Sequence, residues 1–196
     1  MRFLDSLLGR TKPKAPDLDA LFAVPSAAIT LEAATGLRPS GQGAVAYKPA
    51  SGAAFATVGD DLAELLQLSG EQSASTIRGH DDRYGYRWVV VEDPDLEDLV
   101  ASVHLVNRSL EDAGFGSQLL CSVFGFSGPS PSASLCYLVY LYKRGTFYPF
   151  APRPQERRDN ELELRVRGAL AGEMPIEAEL SRWFPLWGLP LDQPSG

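Results

Sequence analysis

The chain has 196 residues, 44% hydrophobic and 22% charged, enough apolar material for one ordinary core and outside the range of disordered or fibrous chains. Its formal charge of −7 speaks against general nucleic-acid binding, which needs a net basic face to displace counterions from phosphate. Two cysteines without a C-x-x-C spacing argue against a zinc ribbon or a thioredoxin-like site and fit a reducing compartment.

Phe3, Leu4, Leu7 and Leu8 recur at helical spacing, and Gly9 stops the pattern before Arg10, Lys12 and Lys14. Residues 1–15 thus predict a short amphipathic helix with a basic trailer, of the type that rests on an anionic membrane surface or in a partner's groove, or packs on the protein's own body. The start, Met1-Arg2-Phe3-Leu4-Asp5, lacks the apolar stretch and cleavage site of a signal peptide, and no apolar run approaches the ~20 residues of a membrane span. A cytoplasmic protein is expected, with peripheral contact at the inner membrane face as an option.

Residues 16–196 are expected to form a single domain. Asp17 can cap a short helix through Leu18, Leu21 and Phe22 that Pro25 ends. Ile29-Thr30-Leu31, Gly43 to Tyr47 and Ala53 to Ala56 then look extended, with turns at Pro39-Ser40-Gly41 and Pro49 to Gly52. A helix through Leu62, Leu65 and Leu66 follows. Thr76 to Arg78 and Tyr84 to Val91 predict a hairpin around His80-Asp81-Asp82. Asp95 can cap the clearest helix, whose stripe Leu96, Leu99, Val100, Val103, Val106 and Leu110 ends at Gly114.

Gln118 to Phe126 and Ser134 to Tyr142 predict two long strands, the second the best candidate for a central one. Tyr148 to Pro154 is extended and proline-rich. Over Asn160 to Ala171, helix is favoured over strand by the Glu161–Arg165 and Glu163–Arg167 pairs and by Gly172 at the cap. Glu177 to Trp187 reads as one short helix running into an apolar clamp. The predicted class is α+β: an antiparallel sheet with helices on one face and helical terminal segments.

The search for chemistry finds little. Gly125-Phe126-Ser127-Gly128 lacks the spacing of a nucleophile elbow, and no phosphate-cradling G-x-x-x-x-G-K-[ST] occurs. His80 beside Asp81 and Asp82 reads as a solvated hairpin tip in preference to a metal site, and His104 as a boundary residue of its helix. Cys121 and Cys136 would face each other if their hairpin turned about Gly128-Pro129, though buried reduced thiols are the simpler reading. Lys143, Arg144, Phe147 and Tyr148, with Arg157 and Arg158 further on, mix aromatics and cations and are candidate partner contacts. If Tyr140, Tyr142 and Phe147 are core, only Lys143, Arg144, Arg157 and Arg158 stay eligible. Neither a cofactor nor a catalytic residue is expected. The competing reading is an enzyme or small-ligand protein whose pocket gathers His80, His104, Asp81 or Cys121.

Several words of the sequence resemble the PspA-associated family PspAB. They are Phe3-Leu4-Asp5 with Leu7 to Lys14, Pro25-Ser26-Ala27-Ala28, Leu31 to Gly36, Val139 to Pro152, Arg157-Arg158-Asp159-Asn160, and Ser181-Arg182-Trp183-Phe184-Pro185. The resemblance implies a phage-shock-like envelope-stress response of high-GC bacteria, in which PspA is a coiled-coil, membrane-associated effector. It also implies proximity to an HtpX-type membrane metalloprotease. On this footing the chain is expected to be a non-catalytic adaptor, binding PspA or that protease.

Overall fold

The computed structural model describes residues 16–49, 75–129 and 135–191. The expected N-terminal helix, the strand at 53–56 and the helix at 60–66 lie outside them.

After a 3-10 turn at Leu18–Ala23, helix α1 runs over Val24–Thr35. Pro25 opens this helix instead of ending one, because a missing N–H costs nothing in the first helical turn. The strand expected at Ile29-Thr30-Leu31 is therefore helix. Gly36, at φ 74°, closes α1 by donating its N–H to the Glu32 carbonyl at 2.9 Å. Leu18–Thr35 has a mean hydropathy of 1.3 over 18 residues, long and apolar enough by composition to cross a membrane. Leu21, Val24, Ala27 and Leu31 are nonetheless buried in the protein's own core, which is what a core helix does.

The main sheet has six strands, all antiparallel: β1 (Arg38–Tyr47), β2 (Thr76–Asp81), β3 (Arg87–Glu92), β4 (Leu119–Ser127), β5 (Leu135–Leu141) and β6 (Thr146–Phe150). Their spatial order is β2-β3-β1-β4-β5-β6. The centre is thus the β1–β4 pair, and β5, expected there, lies one place out between β4 and β6. Pro39-Ser40-Gly41, expected as a turn, is a bulge within β1, made possible by Gly41 at φ 75°.

Helix α2 (Leu96–Leu110) is the one expected: the Asp95 carboxylate accepts from Glu97 N at 2.8 Å and Asp98 N at 3.2 Å, and Gly114, at φ 86°, closes the π-helical turn beyond it. A two-residue ladder, β7 (Pro152–Arg153) with β8 (Arg157–Arg158), leads into α3 (Asn160–Leu170), capped by Asp159.

Both faces of the sheet are buried. Val45, Val89, Phe124, Phe126, Leu138, Tyr140 and Phe147 meet the helices, whereas Ala46, Trp88, Val90, Val123, Val139, Tyr148 and Phe150 meet the C-terminal segment. That segment is not the helix expected over Glu177 to Trp187. It holds one 3-10 turn, Leu180–Arg182, because it enters in extended form: Phe147 donates to the Pro175 carbonyl at 2.8 Å and Glu177 donates back to Phe147 at 2.7 Å. Beyond the turn, Trp183 to Leu191 cross the sheet as an irregular strap, the apolar clamp the sequence suggests.

Glu163 does not pair with Arg167. It is 3% exposed, and its Oε1 accepts from Ala151 N at 2.8 Å and Arg158 Nε at 2.9 Å. Losing it strands a mostly buried guanidinium and a backbone donor together. Glu163→Ala is expected to cost about 3–5 kcal/mol in urea denaturation, whereas Glu161→Ala, two residues earlier and exposed, should change stability by no more than ~0.5 kcal/mol.

Candidate functional site

The strap does not cover its face of the sheet completely. Between it and the β2–β3 hairpin lies an apolar groove of about 450 Å³. Ala46, Leu120, Cys121 and Leu141 form its floor, Tyr84, Tyr86 and Trp88 one wall, and Phe184, Leu186 and Trp187 the other. Tyr84 is 58% exposed and Phe184 57%, so each rim carries an aromatic ring in water.

Both walls are held by polar groups at their backs. On the hairpin side the Asp82 carboxylate accepts from Tyr84 N at 2.8 Å, Tyr86 N at 2.9 Å and Trp88 Nε1 at 3.0 Å. Burial pushes the Asp82 carboxyl up, but these three donors outweigh it and hold the group below its ordinary value. On the strap side the Tyr148 hydroxyl donates to the Phe184 carbonyl at 2.8 Å, and Trp183 Nε1 donates to the Glu177 carbonyl at 3.0 Å. Tyr148 stacks near Trp183 with centroids 6.1 Å apart, and Trp187 meets Phe150 edge-on at 5.1 Å. The result is a preformed cleft with a greasy floor and fixed aromatic walls, suited to receiving apolar side chains.

The residues singled out from sequence divide sharply. Phe147 and Tyr148 are fully buried, as are Tyr140 and Tyr142 nearly so, which corrects the expectation that Phe147 and Tyr148 present a contact surface. Their alternation in β6 sends Phe147 toward the helices and Tyr148 toward the strap. Lys143 is exposed in the β5–β6 turn. Arg144 pairs with the buried carboxylate of Glu177, and Arg158 with Glu163, so both have structural work inside the molecule. Arg157 is exposed. The set Phe3, Leu4, Leu7, Leu8, Arg10, Lys12 and Lys14 lies outside the described residues.

His80, His104, Asp81 and Cys121 do not gather in one pocket. His80 and Asp81 are exposed near the tip of the β2–β3 hairpin, and Asp81 pairs with Arg87 at 2.8 Å. His104 sits on the helix side, its Nε2 3.6 Å from Asp19 and its ring 4.8 Å from that of Phe22. Cys121 lines the groove floor. Among the described residues no three His, Cys, Asp or Glu side chains are grouped to hold a metal ion.

The cysteines do not face each other. The β4–β5 register sets Cys121 opposite Leu141 and Cys136 opposite Phe126, offset from the pairing that a turn symmetric about Gly128-Pro129 would give. They therefore point to opposite faces of the sheet, Cys136 toward the helices and Cys121 toward the strap. Burial pushes the Cys121 thiol up to about 12 and raises that of Cys136 further.

Sequence reasoning identified the clamp but not the groove. Tyr84 and Tyr86 looked like ordinary hairpin residues, and nothing in their spacing announces that they stand across from Phe184, a hundred positions later. The usable signal was the density of aromatics in Arg182 to Trp187, more than an irregular tail needs.

Two outcomes follow from this geometry. In native protein at pH 8 both thiols should resist a disulfide reagent, reacting only in denaturant; fast titration of Cys121 would contradict the burial described. The second concerns Glu177, which anchors the root of the strap. Burial raises its carboxyl, but Arg144, the Glu179 N–H and Thr146 outweigh that and depress it. A depressed folded value means the stabilisation is complete above the ordinary value of 4.5 and is lost as pH falls below it. Glu177→Gln should be less stable at neutral pH and lose less further stability between about pH 5 and 3 than the parent, as read by chemical denaturation across pH.

No curated protein and no solved structure matches the chain. A family model does, over residues 1–191, nearly the whole length: that of PspA associated protein B. The chain therefore belongs to the PspAB family.

Proposed function

We propose that the chain is a non-catalytic accessory protein of a phage-shock-like envelope-stress response, and that its groove takes a helical segment of a PspA-like partner. The family description supports the identity of the partner. The observation that supports the mode of binding is the groove itself: a preformed apolar cleft between two exposed aromatic rims, Tyr84 and Phe184. Among the described residues its one carboxylate, Asp82, already accepts three hydrogen bonds from the hairpin.

Grooves of ~300–1,000 Å³ hold one compact apolar body. An amphipathic helix supplies such a body as a few side chains at i, i+3 and i+4 spacing, and the coiled-coil character that the resemblance attributes to PspA offers many of these. In this reading residues 1–14 bring the protein to the inner face of the membrane, the apolar Phe3, Leu4, Leu7 and Leu8 acting with the cations Arg10, Lys12 and Lys14. Four apolar side chains give weak, reversible attachment, which suits recruitment to a partner already at that surface.

The test is a binding titration of full-length protein with the PspA-like protein encoded in the same genome. Phe184→Glu and Tyr84→Glu should each weaken binding at least ~10-fold, by placing a charge against an apolar partner surface, without lowering stability. Binding unchanged in both variants would rule out the groove. Deleting residues 1–14 should reduce recovery with membranes, and equal recovery would refute that role. If crosslinking in cells recovers the membrane metalloprotease and not the PspA-like protein, the partner assignment falls.

A further inference from the structure

The outward face of α1, with the 3-10 turn before it, carries a stripe that the described residues leave open. Phe22, Ser26, Ile29 and Ala33 are all exposed, Phe22 at 50% and Ile29 at 74%. Their spacing of four, three and four positions sets them in line along one side of a helix. Exposed apolar residues scattered singly need no explanation, but these are aligned opposite the face that Val24, Ala27, Ala28 and Leu31 bury. Polar residues on the two flanks already have partners: Arg38 pairs with Glu32 at 2.7 Å, and Thr30 donates to Glu173 at 3.0 Å. At the end of the stripe the Phe22 ring leans on His104, with centroids 4.8 Å apart.

The chain itself supplies a body that fits. Asp17, at the root of the 3-10 turn, is held by Tyr140, whose hydroxyl accepts from Asp17 N at 3.2 Å and donates to the Asp17 carbonyl at 2.7 Å. Upstream, Phe3, Leu4, Leu7 and Leu8 share one apolar face, and seven residues, 9–15, separate them from Pro16. Helices in compact bundles are joined by ~2–8 residues, so this segment reaches the stripe as the other arm of an antiparallel hairpin. The lengths agree: at about 1.5 Å per helical residue, Phe3 to Leu8 spans about 7.5 Å and Phe22 to Ile29 about 10 Å. Leu7 and Leu8 then meet Phe22, and Phe3 and Leu4 reach Ile29.

Charge points the same way. In this arrangement Arg10, Lys12 and Lys14 lie in the connection, beside the exposed Asp17 and Asp19. The Asp19 side chain is 89% exposed and, among the described residues, has only His104 near it, at 3.6 Å. An anionic bilayer, by contrast, would meet Asp17, Asp19 and Glu32 at this face.

We infer that residues 3–8 dock on the α1 stripe, and that the docked state withholds from the membrane the apolar side chains that attach the protein to it. The docking stands by itself, whereas the regulation rests on the membrane role proposed for residues 1–14. The same four side chains cannot serve both surfaces at once, so attachment is weakened in proportion to the fraction of molecules that are docked. An anionic surface competes with Asp17 and Asp19 for Arg10, Lys12 and Lys14 and draws the segment out.

The test uses full-length protein with a nitroxide on Ser6→Cys, a position off the apolar face; Cys121 and Cys136 are buried and stay unlabelled. In dilute solution the backbone amide NMR signals of Ser26 to Thr30 should broaden, and those of Tyr84 and Trp187 in the groove should not. Leu4→Gln combined with Leu7→Gln should abolish the broadening, as should bicelles containing phosphatidylglycerol. Ile29→Gln, on an exposed position, should raise recovery with phosphatidylglycerol vesicles at least ~3-fold. Absence of broadening would overturn the docking, and so would broadening centred on the groove. Broadening carried from a spin-labelled copy to a separate isotope-labelled one would overturn it too, since the occupant would then be a second chain. Docking that survives bicelle binding, or equal recovery of Ile29→Gln, would overturn the regulation. If vesicle recovery does not depend on residues 1–14, the membrane role falls, while broadening at Ser26 to Thr30 still upholds the docking.

Discussion

The buried carboxylate of Glu163 ties together parts of the chain that would otherwise have no common anchor. It reaches from α3 to the backbone N–H of Ala151, just after β6, and to Arg158 on β8, which in turn grips the Trp183 carbonyl at the root of the strap. A buried ion pair seldom adds net stability over well-packed apolar residues, but removing one partner is expensive. Its value here is positional. It aligns helix, sheet edge and strap, and the groove wall is built on that alignment.

The strap matters because the sheet is apolar on both faces. Among the described residues, three helices serve one face, and the other is left to a segment that has little regular structure of its own. Tyr148 and Trp183 give hydrogen bonds at the points where the strap crosses, and Glu177 secures its entry. Where the strap stops short of the β2–β3 hairpin, the apolar sheet is left uncovered among the described residues. The groove is thus a consequence of incomplete coverage, held open by aromatic side chains that are themselves well anchored.

Much of the fold was legible in the residues. The α2 stripe, the Asp95 cap, the β2–β3 hairpin and the long pair β4–β5 follow from periodicity and capping chemistry that act locally. The failures arose where one residue admits two local roles. Pro25 reads locally as a stop and is a start, so Ile29 to Leu31, extended by pattern, are helix. Glu163 suits an i,i+4 pair on a solvated face, and only the inward turn of α3 reveals the Ala151 and Arg158 contacts. Cys121 and Cys136 were misaligned because the hairpin register depends on where the loop turns, and an offset of a few residues changes which side chains meet. Arg157 and Arg158 were singled out by charge. Their division of labour, one exposed and one clamped, needed three dimensions.

The central claim is that the strap-side groove, and not the helical face, meets the partner. Site-specific photocrosslinking tests it most directly, with p-benzoylphenylalanine in place of Leu186 in the groove wall or of Ile29, 74% exposed on α1. Crosslinks to a PspA-like protein from position 186 and none from position 29 are expected. Crosslinks from position 29 alone would contradict the account and transfer the interface to the helices.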